Sequence, residues 1–119
     1  MKDFRQLKVW EKSHQLALAI YQATKDFPKE ELYGLTSQIR RSSMSIPTNI
    51  AEGCGRLTDA DFARFLQMAM GSASETEYQL ILARDLGFLP MHAHEKLHAD
   101  VEEVKRMLAS LLKTLRAKR

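Results

Sequence analysis

The sequence predicts an all-α protein, an antiparallel up-down four-helix bundle, on three observations. The chain has 119 residues, of which 45% are hydrophobic and 28% are charged, a composition typical of one folded domain. Its five Gly and three Pro separate segments whose apolar residues recur at helical spacing. No segment alternates apolar and polar residues as a strand would. We therefore expect one domain over residues 1–119, with helices at about 7–26, 36–54, 58–86 and 91–117.

The first predicted helix ends before Phe27-Pro28, because proline disfavours helical geometry in the residue before it. Its main apolar stripe is predicted to face the core and comprises Leu7, Trp10, His14, Ala17, Tyr21 and Thr24, with Leu16 and Ile20 beside it.

The second predicted helix begins with Thr36 or Ser37 as its cap and ends at the glycines 53 and 55. Pro47 lies inside it and removes the amide that would bond the Ser43 carbonyl. We expect the helix either to kink at Pro47 or to restart there with Ser45 as a cap.

The third predicted helix has a capped and dipole-matched start at Thr58, Asp59 and Asp61. It is the longest segment, and its apolar residues cover more than one face. This surplus predicts a subunit interface and hence a homo-oligomer. The fourth helix carries a regular apolar seam, spaced four and three residues apart: Leu97, Val101, Val104, Leu108, Leu111 and Leu115.

The charge is unevenly distributed. The formal net charge is +3, but residues 105–119 carry six basic and no acidic side chains. Such a basic end attracts a polyanion, although cations also favour a helix C-terminus for electrostatic reasons alone. No segment has the apolar length of a membrane span, and the first residues lack a signal peptide, so a cytoplasmic protein is expected. Cys54 is the single cysteine, which excludes an internal disulfide.

One stretch of the chain carries a specific motif. It contains YGLTSQIRR at 33–41, SIPTNIAEG at 45–53 and then Gly55-Arg56, preceded by Leu7-Lys8-Val9-Trp10 and followed by Phe65-Leu66, Gly71-Ser72, Glu75 and Glu77. Over residues 3–89 the chain resembles the four-helix-bundle family of the 23S rRNA intervening-sequence proteins. It departs slightly from that family at Ser42-Ser43-Met44, where relatives often have Ala-Ala-Val.

The resemblance implies a bacterial cytoplasmic protein that forms a small helical bundle, and a homopentamer as in some relatives. It implies no enzymatic activity and no cofactor. One related branch, the accessory proteins of diversity-generating retroelements, is a basic pentamer that binds nucleic acid, so RNA or DNA is the expected ligand by analogy.

Two groups of polar residues are candidates for function or for structure. The expected nucleic-acid-binding residues are Arg40, Arg41, Arg56, Lys113, Arg116, Lys118 and Arg119, and the expected structural network is Asn49, Glu52, Glu75 and Glu77. Because guanidinium pairs with carboxylate as readily as with phosphate, Arg40, Arg41 and Arg56 have either role open to them.

The run His94-Glu95-Lys96-Leu97-His98 fits the H-E-x-x-H pattern of zinc peptidases. No convincing third ligand follows, so we expect no metal site. The preferred hypothesis is a non-enzymatic oligomeric bundle that binds RNA or DNA electrostatically. The alternative is a structural adaptor that docks a protein partner, such as a reverse transcriptase or a ribosome-associated factor, without touching nucleic acid.

Overall fold

The computed structural model describes residues 2–118, which form four α-helices and contain no strand. The helices are α1 (Lys8–Ala23), α2 (Leu35–Cys54), α3 (Asp59–Asp85) and α4 (Met91–Ala117), and short 3₁₀ turns lie at Phe4–Gln6, Thr24–Asp26 and Lys29–Glu31. The all-helical prediction with four helices is confirmed. Within residues 2–118, no helix is long and apolar enough to cross a membrane.

Each helix packs against the next in the chain, and α1 also packs against α4, so the four helices surround one core. The molecule is elongated, about 47 × 23 × 20 Å. The centre of the core is aliphatic and consists mainly of Leu16, Ile20, Ile39, Ile46, Ile50, Leu66, Leu80, Val101, Val104 and Leu108, each almost fully shielded from solvent. Burial of this apolar surface is the main source of stability.

The rotation of α1 differs from the prediction. The core face is formed by Val9, Ser13, Leu16, Ala17 and Ile20. Of the residues predicted to face the core, Trp10 and His14 are only half-buried and Tyr21 is 39% exposed. Ala17 and Thr24 of the predicted stripe are buried, whereas Trp10, His14 and Tyr21 form a second apolar face beside the one that the core covers.

The start of α2 also differs. The residue before the helix is Gly34, and the Glu31 carboxylate accepts a hydrogen bond from the Leu35 amide at 3.1 Å. Thr36 is buried in the first turn, so the predicted cap at Thr36 or Ser37 is wrong. The helix then continues through Pro47 without a restart, and Ser45 donates to the Ser42 carbonyl at 3.2 Å instead of capping a new helix.

The start of α3 agrees with the sequence, since the Thr58 hydroxyl accepts from the Asp61 amide at 3.1 Å. Most of its apolar residues lie in the core, while Met68 and Tyr78 are exposed. In α4 the seam matches the prediction except at one position, where Leu112 is buried and Leu111 is only partly buried.

The two ends of the bundle differ in what they bring together. At the basal end, the Lys2 amide donates to the carbonyl of Cys54, the last residue of α2, at 3.0 Å, and Leu7 lines a groove with Leu111 of α4. The start of α1, the end of α2 and the last third of α4 thus lie together there. At the distal end, Phe27 after α1 contacts Phe88 between α3 and α4, with 5.9 Å between ring centres.

Candidate nucleic-acid interface

Three of the predicted phosphate-binding residues lie at the end of α4, at the basal end: Lys113 and Arg116 on its last turns, and Lys118 directly after it. Lys113, Arg116 and Lys118 are exposed. Among residues 2–118, no carboxylate lies within 4 Å of any of them. The fourth predicted tail residue, Arg119, lies outside the described residues. Unpaired exposed cations can bind phosphate without first breaking an internal salt bridge.

Arg40 connects α2 to the end of α1. Its Nε donates to the Thr24 hydroxyl at 2.8 Å, and its guanidinium also donates to the Tyr21 carbonyl at 3.3 Å. The guanidinium carbon lies 4.9 Å from the centre of the Tyr21 ring. Arg40 is half-buried and uses its donors within the chain, which favours a structural role for this residue.

Arg41 faces α3. It forms an ion pair with Glu75 at 2.9 Å and donates to the Gln38 side chain at 3.2 Å. Because both charged side chains are about half exposed, the pair contributes at most about 1 kcal/mol to stability.

Arg56 forms part of a cationic cluster with a residue that the sequence analysis did not single out. The guanidinium carbons of Arg56 and Arg64 lie 4.5 and 4.6 Å from the centre of the Phe65 ring. Both also contact the Asp61 carboxylate, at 3.8 Å and 3.0 Å. Two cations share one carboxylate, so the cluster leaves positive charge at the basal end. Arg64 was missed because its proximity to Arg56 arises only when α3 folds back along α2.

The predicted acidic network does not form one cluster. Glu75 pairs with Arg41 as described, and Glu77 pairs with Lys105 of α4 at 2.9 Å. Asn49 donates to the Ser45 carbonyl within α2 at 2.9 Å. Glu52 has no ion pair among residues 2–118 and lines an apolar groove instead.

The two histidines of the H-E-x-x-H run lie on the α3-facing side of α4. Their rings are stacked 5.6 Å apart, and His98 approaches Glu77 at 3.7 Å and Glu102 at 3.5 Å. His94 is buried, and its Nε2 has no hydrogen-bond partner among the described residues. Burial, with the nearby positive charge of Arg84, holds the pKa of His94 below its usual value. In the described part of the chain, no three His, Cys, Asp or Glu side chains are placed to hold one metal ion.

The side chain of Cys54 is buried at the end of α2. Burial raises the pKa of its thiol above the ordinary value, with smaller contributions from nearby charges. A thiol held in its neutral form is a poor nucleophile, so the position favours a packing role for Cys54.

An apolar groove of about 540 Å³ lies between α1 and α2 and is called the α1–α2 groove. Its walls include the second apolar face of α1 and the facing residues of α2: Trp10, His14, Leu18, Tyr21, Met44 and Pro47. Leu18 and Met44 are each 49% exposed, although both are large apolar residues. Surplus apolar surface was expected on α3, whereas this apolar groove lies between α1 and α2.

A second groove of about 430 Å³ lies at the basal end between α1 and α4, here called the α1–α4 groove. Leu7, Met107 and Leu111 form an apolar floor, and the exposed cations Lys8 and Arg106 stand at its edges. Among residues 2–118, no acidic side chain lines it.

These features define a four-helix protein with one aliphatic core, a cationic end and an uncovered apolar groove. The chain belongs to the 23S rRNA-intervening sequence protein family, whose sequence pattern matches residues 5–110. This match confirms the resemblance derived from the motif at residues 33–56.

A solved structure supports the same assignment. The chain is similar to the crystal structure of a protein with unknown function from the S23 ribosomal protein family of Bacteroides thetaiotaomicron VPI-5482. The two sequences are 32% identical, the match covers 88% of this chain and 95% of the other, and the TM-score is 0.82. No curated protein matches the chain.

Proposed function

We propose that this protein is a cytoplasmic, non-enzymatic homo-oligomer that binds RNA or DNA through the cationic basal end of its bundle. The observation that carries the proposal is the set of exposed cations at the end of α4, Lys113, Arg116 and Lys118, which have no carboxylate within 4 Å among residues 2–118. The Arg56 and Arg64 cluster adds positive charge at the same end. Arg40 and Arg41 are committed to contacts within the bundle and contribute little to binding.

The expected binding is electrostatic and insensitive to base sequence. Each phosphate that is neutralised releases counterions, so the affinity falls steeply as salt rises. One basal end offers only a few contacts and would bind weakly. An oligomer repeats the basal end in every subunit, and contacts that are weak alone become strong when they act together. The family resemblance suggests five subunits.

The arrangement of helices and subunits completes the proposal. Arg41 of α2 contacts Glu75 of α3, and Ser45, four residues later in α2, contacts Ser72, three residues earlier in α3. The two helices therefore run in opposite directions, which supports an antiparallel up-down order. We expect α2 to bend at Pro47, where an amide is missing. The α1–α2 groove supports self-association, because uncovered apolar surface of this kind is stabilised when a second copy covers it.

The second candidate function is a protein adaptor, and one observation favours it. Tyr33 is 92% exposed and Leu32 is 49% exposed, and both lie in a concavity that shares Tyr21 and Met44 with the α1–α2 groove. The apolar face thus continues toward the distal end. A protein partner that docked on this face would leave the basal cations unused.

Salt-dependent anisotropy measurements distinguish the two functions. A labelled 23S rRNA fragment and a DNA duplex of the same length are titrated with protein between about 50 and about 300 mM salt. The test variant is Lys113→Gln with Lys118→Gln, and the matched control is Lys25→Gln with Lys29→Gln, which removes the same charge at the distal end. We expect the basal variant to weaken binding and to lower the slope against log salt by about 2, since each lost phosphate contact lowers it by about 1.

Two results would contradict the proposal. The absence of binding to either ligand at the lowest salt concentration would contradict the nucleic-acid function and favour the adaptor. Equal weakening by the basal and distal variants would indicate a response to net charge alone, and would contradict the location of the binding site at the basal end.

A further inference from the structure

The α1–α4 groove differs from the rest of the seam between these helices. One turn further along α1, Lys12 pairs with Asp100 and Glu103 of α4 at 3.4 and 3.3 Å. At the groove, Lys8 and Arg106 have no carboxylate within 4 Å among the residues that the structure describes. Ion pairs therefore neutralise the seam at Lys12, while the cations of the groove remain available to an anionic ligand.

The cations are also combined with an apolar surface. Leu7, Met107 and Leu111 are partly exposed between the two charged edges, and the Ser110 hydroxyl lies beside them. Lys113 follows Arg106 by seven residues, about 10 Å along the helix axis, so the cationic track continues toward the end of α4. A ligand that fits must offer negative charge and a flat or narrow apolar group at the same time.

Single-stranded and duplex nucleic acids differ in this respect. A duplex presents phosphates and leaves its bases stacked inside, so it would contact the charged edges but not the floor. An unpaired nucleotide presents a phosphate together with the exposed face of its base. Packing that face against apolar side chains removes apolar surface of both partners from water. A single strand can thus use both parts of the groove.

We propose that the α1–α4 groove is a binding site for unpaired nucleotides and gives the protein a preference for single-stranded over duplex nucleic acid. This inference rests on the proposed function, because it specifies the form of nucleic acid that the basal end binds. The preference is not a consequence of charge. A duplex has the higher charge density, so electrostatics alone would favour the duplex.

The test uses oligo-dT of about 15 nucleotides and a duplex of the same length, with the wild-type chain and two variants at one salt concentration. Met107→Gln makes the floor polar with little change in size. Met68→Gln is the matched control, an identical substitution at an exposed position of α3. We expect wild-type protein to bind oligo-dT at least about 5-fold more tightly than the duplex, and Met107→Gln to weaken oligo-dT binding by about 5-fold, as expected for the loss of one apolar contact.

The duplex serves as the internal control in these experiments. We expect Met107→Gln to leave binding of the duplex unchanged, and Met68→Gln to leave binding of both oligo-dT and the duplex unchanged. Arg106→Gln weakens both ligands and lowers both salt slopes by about 1. Equal or tighter binding of the duplex by wild-type protein would overturn the inference, as would equal weakening of both ligands by Met107→Gln. In either case the cationic basal end would still bind nucleic acid, whereas a failure of both ligands to bind would remove the proposed function as well.

Discussion

Ser42 of α2 donates a hydrogen bond to the Gln79 amide oxygen of α3, with 2.6 Å between the two oxygens. The Thr76 hydroxyl lies 2.8 Å from the same serine oxygen, and all three side chains are buried. Because buried polar groups are costly without partners, this network fixes the register of α2 against α3. The nearby ion pair of Arg41 with Glu75 lies at the exposed edge of the same seam.

Ser42→Ala should lower the free energy of unfolding by about 1–2 kcal/mol, because Gln79 then keeps a buried amide oxygen without its donor. Denaturant unfolding measures the change. The adjacent Ser43→Ala is the control, since Ser43 is equally buried but donates only to the Arg40 carbonyl within its own helix, at 3.1 Å. We expect the control to cost less than about 0.5 kcal/mol. Equal losses in the two variants would contradict a register-fixing role for Ser42.

Gly53→Ala should also destabilise the fold, through steric conflict. A Cβ at this position would lie 2.9 Å from a ring carbon of Phe62 and 2.9 Å from the Cβ of Phe65. We expect a loss of about 1–3 kcal/mol, typical of overpacking. Gly71→Ala in α3 is the control, because a Cβ there would meet no atom within 4 Å. In an open helical position the alanine should instead add about 0.5–1 kcal/mol of stability. If Gly53→Ala were stabilising as well, the close approach of α2 to α3 would be wrong.

The sequence predicted the helices well because their limits are set by local signals. Thr58 caps α3, and the predicted range 91–117 equals that of α4, which follows Pro90 directly. The cap of α2 was missed because Glu31, three residues before Gly34, supplies the oxygen from a preceding turn.

Side-chain roles were harder to predict, because they depend on how the helices rotate against one another. In α1 the stripes containing Leu16 and Trp10 are both apolar, and periodicity alone does not decide which one faces the core. The partners of Arg40 and Arg56 likewise come from other segments, so their contacts with Thr24 and Phe65 follow only from the packed structure.

Polar substitutions in the α1–α2 groove should weaken self-association. The double variant Leu18→Gln with Met44→Gln removes apolar surface from both walls of the groove. We expect the dissociation constant for self-association of this variant to rise at least about 10-fold. The control is Met68→Gln with Leu86→Gln, which changes two apolar residues of similar exposure, 46% and 52%, on the other half of the bundle. Sedimentation equilibrium gives the masses. A wild-type mass of 13.6 kDa at all concentrations would contradict the oligomer. Equal effects of the two double variants on self-association would show that the subunit interface does not lie in the α1–α2 groove.

Acidification should destabilise the protein through His94. Burial holds its pKa below the ordinary value of 6.5, with smaller contributions in the same direction from Arg84 and the neighbouring His98, and in the opposite direction from Asp85 and Glu95. The unfolded chain therefore takes up a proton at a higher pH than the folded chain does. The contribution of the neutral His94 to the free energy of unfolding is fully present above about pH 6.5, and it is lost as the pH falls through the lower pKa that His94 has in the folded state.

The measurement is urea unfolding of wild type and His94→Gln at about pH 8 and about pH 5. A glutamine stays neutral, so the variant should lose less stability between the two pH values than the wild type. His92→Gln is the control, because His92 is exposed on the same helical turn. An equal loss in wild type and His94→Gln would assign the acid sensitivity to other groups.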